Sequence, residues 1–296
     1  MKIAVLITGQ LRDYKINCFN HLKHLIEPNN ADLFVYACCT NTIHTLGTSL
    51  EQEYSITNRY SAEEVTKNIK EIYGPYLKEL KINLNEKVPV NPFGTLGYFR
   101  TRMQNQIDNI RIGYEMAIKY SEQNKFEYDL IVRCRPDNVF FPKKVNLKNY
   151  NCNNEVIYST IYKDSGHKDI CVFAFSNPKV FKKYSTFEYL KDEDPNRVDE
   201  EFICLEHLLD KYLTQNGVKV NYLGDVCIPF IGTDKTLPMS KFPYINEDAM
   251  LLDSKGNFVK PNFKNNDHKS KLKEIFKNFI HKYLSFKNII SKFFKF

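Results

Sequence analysis

The sequence predicts an α/β protein in which helices flank an open, mostly parallel β-sheet. Its first segment, KIAVLIT at 2–8, is a short apolar run rich in β-branched residues, which is typical of a strand buried on both faces. Helical periodicity follows at 14–26, and ADLFVYACC at 31–39 repeats the buried-strand pattern. This β-α-β order implies parallel strands joined by a right-handed crossover. A sheet of this kind places its functional site at the carboxyl ends of the strands.

Helices and strands continue to alternate along the rest of the chain. Ser61 and Glu64 form a capping box, which predicts a helix over 61–74. Residues 40–60 are polar and 85–97 are rich in proline and glycine, so both segments are predicted to be irregular. The remaining elements are predicted, in chain order, as a helix over 98–121, strands at 128–134, 155–162 and 169–176, a helix over 198–214 and an extended segment at 218–232.

Composition and charge exclude several classes of protein. The 296 residues are 43% hydrophobic and 26% charged, as in a folded globular chain, and no apolar run is long enough to span a membrane. The net charge is +7, and residues 269–296 carry all of it through eight lysines and Glu274. The rest of the chain is therefore neutral and lacks the basic stripe of a nucleic-acid-binding surface. We expect no nucleic-acid partner.

The cysteines and the N-terminus indicate a reducing compartment. The eight cysteines include no CxxC pair, and most lie in apolar segments such as DLIVRC, where cysteine acts as a small hydrophobic residue. The N-terminal residues have the pattern of a first strand and lack a small-residue cleavage site. We therefore expect free thiols and a protein that stays in the cytosol.

A basic amphipathic helix is predicted for the C-terminal residues 269–296. Apolar residues recur there at three- and four-residue steps, from Leu272 to Phe294, and form one stripe. Most of the lysines fall outside that stripe, which is typical of a helix lying on an anionic membrane surface. The alternative is a helix packed on the body of the protein. We expect this tail, joined through a linker at 233–268, to associate peripherally with the inner face of the cytoplasmic membrane.

The first candidate site is the turn TGQLR at 8–12, which follows the first strand and leads into a helix. Free backbone N–H groups at a helix start favour an anion. Thr8, Gly9 and Gln10 lie at the end of the strand, and Arg12 can pair with a phosphate through two hydrogen bonds. The alternative is an ordinary strand-to-helix turn with an exposed arginine, because the turn matches neither G-x-G-x-x-G nor a P-loop.

The second candidate site is RCRPDN at 133–138. Side chains alternate along a strand, so Arg133 and Arg135 are expected to share a face, and Pro136 is expected to end the strand and expose Asp137. Two guanidinium groups and a carboxylate at the carboxyl end of a strand suit a diphosphate with a divalent cation. The alternative is a surface ion-pair cluster, although arginines in an apolar strand require partners.

The third candidate site is VDEEF at 198–202, where Asp199, Glu200 and Glu201 start a predicted helix. A carboxylate beside an acceptor hydroxyl suits a general base, whereas the alternative is that these acids only stabilise the helix dipole. Lys168 and Asp169 precede another strand and are candidates for the acceptor side. No pair of histidines at i and i+4 indicates a zinc site.

Three stretches of the sequence carry a family resemblance: TGQLR after the first strand, DLFVY in the second strand, and YDLIVRCRPD after a helix. They resemble a group of bacterial and large-virus glycosyltransferases that act in capsule or surface-polysaccharide assembly. The resemblance covers roughly residues 1–232. It implies a GT-A-type fold with a Rossmann-like nucleotide half at about 1–140, an acceptor half at about 141–232, and a nucleotide-sugar donor.

The resemblance also implies a cation site, from which this sequence departs. Family members commonly carry Asp-x-Asp after the central strand and bind Mn²⁺ or Mg²⁺ through the donor diphosphate. Here the matching stretch is Arg135-Pro136-Asp137, with an arginine in place of the first aspartate. Asp137 is the candidate metal ligand, and Arg135 can itself neutralise the leaving phosphate. The acids at 199–201 resemble the later acidic motif that contacts the acceptor.

The sequence thus predicts a glycosyltransferase that extends a capsule or lipo-oligosaccharide glycan, free or lipid-linked, from a nucleotide sugar. Residues 8–12 would hold the nucleotide and diphosphate, and 133–137 would stabilise charge on the leaving diphosphate. One acid among 199–201 would accept the acceptor proton if the reaction inverts. Two alternatives remain: a nucleotidyl- or phosphate-group transferase of the same kind of pathway, and a noncatalytic nucleotide-binding module at the membrane.

Overall fold

The structure is a computed structural model of the 296-residue chain. In a few places, including 42–46, 53–57 and 167–169, only the backbone is described. The residues that the structure describes are 1–11, 14–39, 42–46, 53–57, 61–85, 96–140, 145–152, 154–162, 167–188, 205–223, 227–229, 251–252 and 258–259.

The described segments form an alternating series of strands and helices. The helices are α1 (Tyr14–His21), α2 (Glu27–Asn29), α3 (Ala62–Tyr73), α4 (Leu96–Gln123), α5 (Pro178–Ser185) and α6 (Leu205–Gln215), with a π-helical segment at Leu22–Ile26 and 3-10 turns at Gly74–Tyr76 and Leu147–Asn149. The strands are β1 (Ile3–Gln10), β2 (Asp32–Cys38), β3 (Thr42–Leu46), β4 (Glu53–Thr57), β5 (Leu77–Asn83), β6 (Leu130–Cys134), β7 (Asn138–Phe140), β8 (Val156–Tyr162), β9 (His167–Ser176), β10 (Lys219–Leu223), β11 (Cys227–Pro229), β12 (Leu251–Leu252) and β13 (Phe258–Val259).

A seven-stranded sheet organises the fold, in the order β10-β8-β9-β6-β1-β2-β5. Neighbouring strands are parallel except where β9 runs antiparallel to both β6 and β8. The predicted open, mostly parallel α/β sheet is therefore confirmed. The sequence did not predict β5 or the β3–β4 hairpin, because β5 is a half-buried edge strand and the hairpin lies outside the main sheet. Such strands lack the continuous apolar run of a central strand.

Helices cover both faces of the sheet. One apolar core contains residues of α1 and α3, and the core on the opposite face contains residues of α4, α5 and α6. The Ser61 hydroxyl accepts a hydrogen bond from the Glu64 N–H at 3.1 Å, so the predicted N-cap of α3 is confirmed. Helix α4 spans Leu96–Gln123, close to the predicted 98–121. The described part of the last helix begins at Leu205, within the predicted 198–214.

The chain reverses its direction of progress across the sheet between β1 and β6. From β1 it proceeds outward through β2 to β5, and then returns through α4 to β6 on the other side of β1. Open α/β sheets bind ligands in the crevice outside the carboxyl ends of strands at such a switch point. The first candidate site begins at the carboxyl end of β1, and the second begins at the carboxyl end of β6.

The chain divides into two units, Met1–Lys235 with Leu252–Asn257, and Thr236–Leu251 with Phe258–Phe296. The seven-stranded sheet lies in the first unit. The predicted tail at 269–296 lies outside the described residues, as does nearly all of the predicted linker at 233–268. Among the helices of the described residues, none is both long and apolar enough to cross a membrane. Six cysteines in the described segments are buried free thiols, as the sequence predicts.

Candidate active site

The first and second candidate sites meet at the switch point between β1 and β6. Gly9 lies near the end of β1 with a φ of +128°, a backbone conformation that glycine adopts and that side chains disfavour. A Cβ placed on Gly9 would lie 3.5 Å from Cδ of Pro136. Residues 8–10 were predicted to form a turn, but they are the end of β1, which continues to Gln10. The strand backbone at Gly9 thus lies directly against the turn that follows β6, and the structure brings the first and second candidate sites together.

Arg133 is a buried cation on the α4 side of the sheet. It pairs in register with Leu6 of β1 and Ala174 of β9, and only 1% of its surface is exposed. Within the described part of the chain, its Nε and Nη1 atoms have no hydrogen-bond partner. The Oγ1 atom of Thr8, two residues beyond Leu6 on β1, is likewise buried without a partner there. Buried donors without acceptors are costly, and a buried charge more so, so a hydrogen-bonding partner of negative charge would stabilise these groups.

Helix α4 closes tightly over this pair. A Cβ placed on Gly113 would lie 2.6 Å from Cγ2 of Thr8 and 3.6 Å from Cβ of Leu6. Real Cβ atoms do not approach that closely, so the glycine allows α4 to contact β1 directly. The contact shows that Thr8 and Leu6 face α4, and the alternation of side chains along β6 places Arg133 on the same face.

Arg135 and Asp137 form a bidentate ion pair. Nε and Nη2 of Arg135 donate to the two carboxylate oxygens of Asp137 at 2.8 Å and 2.5 Å. The Arg135 side chain is 24% exposed and the Asp137 side chain 2%. The predicted exposure of Asp137 is therefore wrong, because Arg135 covers its carboxylate. Strand β6 ends at Cys134, so the alternation that predicts a shared face for Arg133 and Arg135 does not extend to Arg135.

Helix α1 binds the backbone that follows this pair, which the sequence analysis missed. The apolar residues at positions 16, 19, 22, 25 and 26 give the segment 14–26 its helical periodicity, yet the buried side chains of α1 include Tyr14, Asn17, Cys18, Asn20 and His21. Their polar members bond to backbone carbonyls of the turn after β6 and of β7. Asn17, Asn20 and His21 lie at three- and four-residue steps, and this spacing is the signal that was available in the sequence.

Burial sets the protonation of the groups beneath the turn. It lowers the pKa of His21 to about 4, against the opposing effects of the Asn138 carbonyl and the Asp137 charge. The imidazole is therefore neutral at neutral pH. Burial also raises the pKa of the Cys134 thiol far above its usual range. Cys134 is consequently a thiol that packs and donates a hydrogen bond, and it is not an activated nucleophile.

The other predicted site residues are placed only in part. Gln10 ends β1 and pairs in register with Cys38 of β2. Lys168 and Asp169 lie at the start of β9, and their side chains lie outside the described atoms. Because β9 runs antiparallel to β6, this start lies at the sheet edge that carries the site. Arg12 and the three acids of the third candidate site lie outside the described residues: Asp199, Glu200 and Glu201.

The described residues do not offer a complete cation site. No group of three or more histidine, cysteine, aspartate or glutamate side chains within them is arranged to hold a metal ion. Both carboxylate oxygens of Asp137 already accept hydrogen bonds from Arg135. A divalent cation prefers several hard oxygen ligands, and this donor set does not fit one. Asp137 offsets the charge of Arg135, so the net positive charge of these three side chains is that of Arg133.

Comparison with known proteins yields a distant structural likeness. No protein-family model matches the sequence, and neither does any curated protein. Among solved structures, the chain is similar to a mutant of Drosophila β1,4-galactosyltransferase 7 in a complex with manganese, UDP-Gal and xylobiose. The sequence identity is 10% and the TM-score 0.37, over 85% of this chain and 83% of that chain. A likeness at this level assigns no activity and no residue role to this chain.

Proposed function

We propose that this protein is a glycosyltransferase that transfers a sugar from a nucleotide-sugar donor to a surface glycan of the capsule or lipo-oligosaccharide type. The observation that carries the proposal is the buried Arg133, whose Nε and Nη1 lack partners in the described structure, at the switch point of an open α/β sheet. Arg135 adds a second, partly exposed guanidinium two residues later. Paired arginines suit the oxygens of a diphosphate.

The arginines act on the leaving group. During transfer the bond between the anomeric carbon and the diphosphate oxygen breaks, and negative charge develops on that oxygen. Positive groups fixed before the reaction stabilise this charge without reorganisation, which is commonly the largest contribution to catalysis. Asp137 is buried and bidentate, so in this proposal it orients Arg135. The family resemblance of the stretches TGQLR and YDLIVRCRPD supports the same assignment.

The remaining roles follow from position and chemistry. The end of β1 at Thr8, Gly9 and Gln10, with Arg12 after it, holds the nucleotide and the diphosphate. An acid among 199–201 accepts the proton of the acceptor hydroxyl if the reaction inverts. Replacing each acid by its amide is the test: one amide should lose transfer and keep donor binding. Three fully active amides would show that these acids only cap a helix.

In this proposal a divalent cation is not essential, because the arginines neutralise the diphosphate. The resemblance implies Mn²⁺ or Mg²⁺, whereas Arg135 stands where the first aspartate of Asp-x-Asp would be. We propose that the two guanidinium groups supply most of the charge neutralisation. Turnover should therefore survive EDTA at a reduced or unchanged rate. Complete loss of turnover in EDTA, with recovery on adding Mn²⁺, would show that a cation is required.

The experiment that tests the proposed activity is incubation of the full chain with a panel of nucleotide sugars, followed by identification of the nucleotide product. Release of a nucleoside diphosphate is the expected result. Release of pyrophosphate or a nucleoside monophosphate would indicate a nucleotidyl- or phosphate-group transferase instead. Binding without turnover, also after glycan acceptors are added, would indicate a noncatalytic nucleotide-binding module.

We further propose that the protein works at the inner face of the cytoplasmic membrane, held there by residues 269–296. The support is the sequence: eight lysines and one apolar stripe in this tail, beside a body of zero net charge. Such an anchor would hold the enzyme near a lipid-linked acceptor. Flotation with anionic liposomes should succeed for the full chain and fail for a chain that ends at His268. Equal behaviour of the two chains would favour a tail that packs on the body.

A further inference from the structure

The backbone segment after β6 is held from one side by helix α1. Three side chains of α1 share this task. Each bonds to one backbone carbonyl, and together they bind the carbonyls of three alternate residues of the segment. The bonds are Asn17 Nδ2 to the Pro136 carbonyl at 3.2 Å, His21 Nε2 to the Asn138 carbonyl at 2.7 Å, and Asn20 Nδ2 to the Phe140 carbonyl at 3.2 Å. Asn20 Oδ1 also accepts from the Phe140 N–H at 2.7 Å. We call these three side chains the carbonyl clamp.

The clamp is buried and each of its bonds has a defined direction. Asn17, Asn20 and His21 are all 0% exposed, so water does not compete for the carbonyls. A carbonyl oxygen can only accept, so Nε2 of His21 carries the proton, and Nδ1 accepts from the Tyr73 hydroxyl at 3.3 Å. This tautomer requires a neutral imidazole, which burial ensures. The imidazole therefore bridges α3 and the segment after β6.

The clamped backbone includes the site itself. Pro136 lies between Arg135 and Asp137, so the bond from Asn17 fixes the peptide that separates the two charged residues. The Asn138 N–H donates to the Arg135 carbonyl at 3.1 Å, and the Asn138 amide donates to the Val172 carbonyl at 2.8 Å. A shift of this segment would move the Arg135 guanidinium relative to Arg133 on β6.

We propose that Asn17, Asn20 and His21 are positioning residues that set where Arg135 presents its guanidinium to the leaving diphosphate. The inference rests on the proposed function for the identity of the ligand. Misplacement of a catalytic group by about 1 Å can cost as much as 10²-fold in rate, so loss of the clamp should lower kcat. Ground-state binding of the donor should change less, because Arg133 and the end of β1 at 8–10 stay in place.

Asn29 provides a matched control. It is 2% exposed, and its Nδ2 donates to the carbonyls of Leu25 and Val145, each at 2.6 Å. Its Oδ1 accepts from the Leu147 N–H at 2.9 Å. Asn29 therefore makes the same kinds of buried bond from the same helical region. Its partner segment lies further along the chain, away from Arg135 and Asp137.

The test compares Asn17→Ala, Asn20→Ala and Asn29→Ala in the full chain. We expect all three variants to lose stability to a similar degree. Only the two clamp variants should lower kcat, by about 10-fold or more, with KM changing less. Hydrogen exchange of the amides at 137–140 should quicken by about 10-fold or more in the clamp variants and stay unchanged in Asn29→Ala. An equal kcat loss in Asn29→Ala, or unchanged kcat in both clamp variants, would overturn the inference.

Failure of the proposed function has a different signature. If the unmodified protein turns over no nucleotide sugar and binds no pyrophosphate, the glycosyltransferase proposal fails. Hydrogen exchange of the amides at 137–140 then tests, independently of activity, whether the clamp positions this segment. Faster exchange in Asn17→Ala and Asn20→Ala than in Asn29→Ala supports positioning of the segment, and equal exchange in the three variants refutes it.

Discussion

Replacing Arg133 by methionine should make the protein more stable and less active. The Nε and Nη1 atoms of Arg133 are buried without partners in the described structure, and each such donor costs about 1–3 kcal/mol. A methionine replaces the aliphatic part of the arginine side chain, next to Leu6 and Ala174, and carries no donor. We therefore expect Arg133→Met to gain about 2 kcal/mol in the free energy of unfolding, a sign that is unusual for a buried position.

Two assays measure the effect. Urea unfolding gives the free energy, and a gain of about 2 kcal/mol corresponds to a rise in Tm of about 4–8 °C for a unit of this size. Turnover of the nucleotide-sugar donor should fall by about 10²-fold or more, as on removal of one preorganised electrostatic group. Pyrophosphate should raise the Tm of the unmodified protein and leave that of the variant unchanged.

Arg111→Met is the matched control for this prediction. Arg111 also lies beside the sheet, on α4, but its side chain is 39% exposed and bonds to Asp108 at 2.6 Å. We expect a change within about 1 kcal/mol and full activity, as for other surface ion pairs. The reasoning about Arg133 is refuted if Arg133→Met is less stable than the unmodified protein and turns over the donor at the normal rate.

Three further predictions concern the surroundings of the site. Asp137→Asn should lower turnover by about 10²-fold and stability by about 1–3 kcal/mol, because the buried carboxylate holds Arg135. His21 has a pKa of about 4 in the folded protein against an ordinary 6.5, so the unfolded chain takes up a proton at a higher pH than the folded protein. The contribution of the neutral imidazole to the free energy of unfolding is therefore complete above pH 6.5. It falls by about 3 kcal/mol as the pH drops to about 4. Gly113→Ala should cost about 1–3 kcal/mol, because its Cβ would lie 2.6 Å from Thr8 Cγ2.

Each of these predictions has a specific control. Normal turnover by Asp137→Asn would remove that residue from the site. For the pH effect, unfolding curves of the unmodified protein and His21→Gln are compared from pH 7 to pH 4, and parallel curves would contradict the role of His21. For Gly113→Ala, a second substitution of Thr8 by serine removes the methyl group and should restore stability. An absence of recovery would show that the clash is not the cause.

The central part of the fold was predictable because short, mostly apolar segments encode it. The segments at 2–8, 31–39 and 128–134 are typical of strands buried on both faces, and the helices between them favour parallel pairing. The carboxyl-end position of the site follows from this order alone. Edge elements such as β5 were missed because its side chains are half-buried and its sequence KELKIN alternates polar and apolar residues.

Other features depend on tertiary contacts that a sequence pattern does not carry. The antiparallel direction of β9 has no signature, because an apolar run reads the same in both directions. The buried face of α1 includes polar side chains, because Asn17 and His21 bond to backbone carbonyls more than 100 positions away in the chain. The difference between a buried Arg133 and a partly exposed Arg135 arises where β6 ends, and strand ends are poorly defined by periodicity.

The central claim is that the arginines at the switch point bind a diphosphate. Its most direct test compares the binding of ligands that differ only in their number of phosphate groups. Affinities of the unmodified full chain for a nucleoside, its monophosphate and its diphosphate are measured at one ionic strength. Hydrogen bonds to charged groups contribute about 1.5–3 kcal/mol each, so two guanidinium groups should raise affinity by at least about 10²-fold from nucleoside to diphosphate. We predict that the diphosphate binds most tightly. Equal affinities for the three ligands, or for the monophosphate and the diphosphate, would contradict the claim.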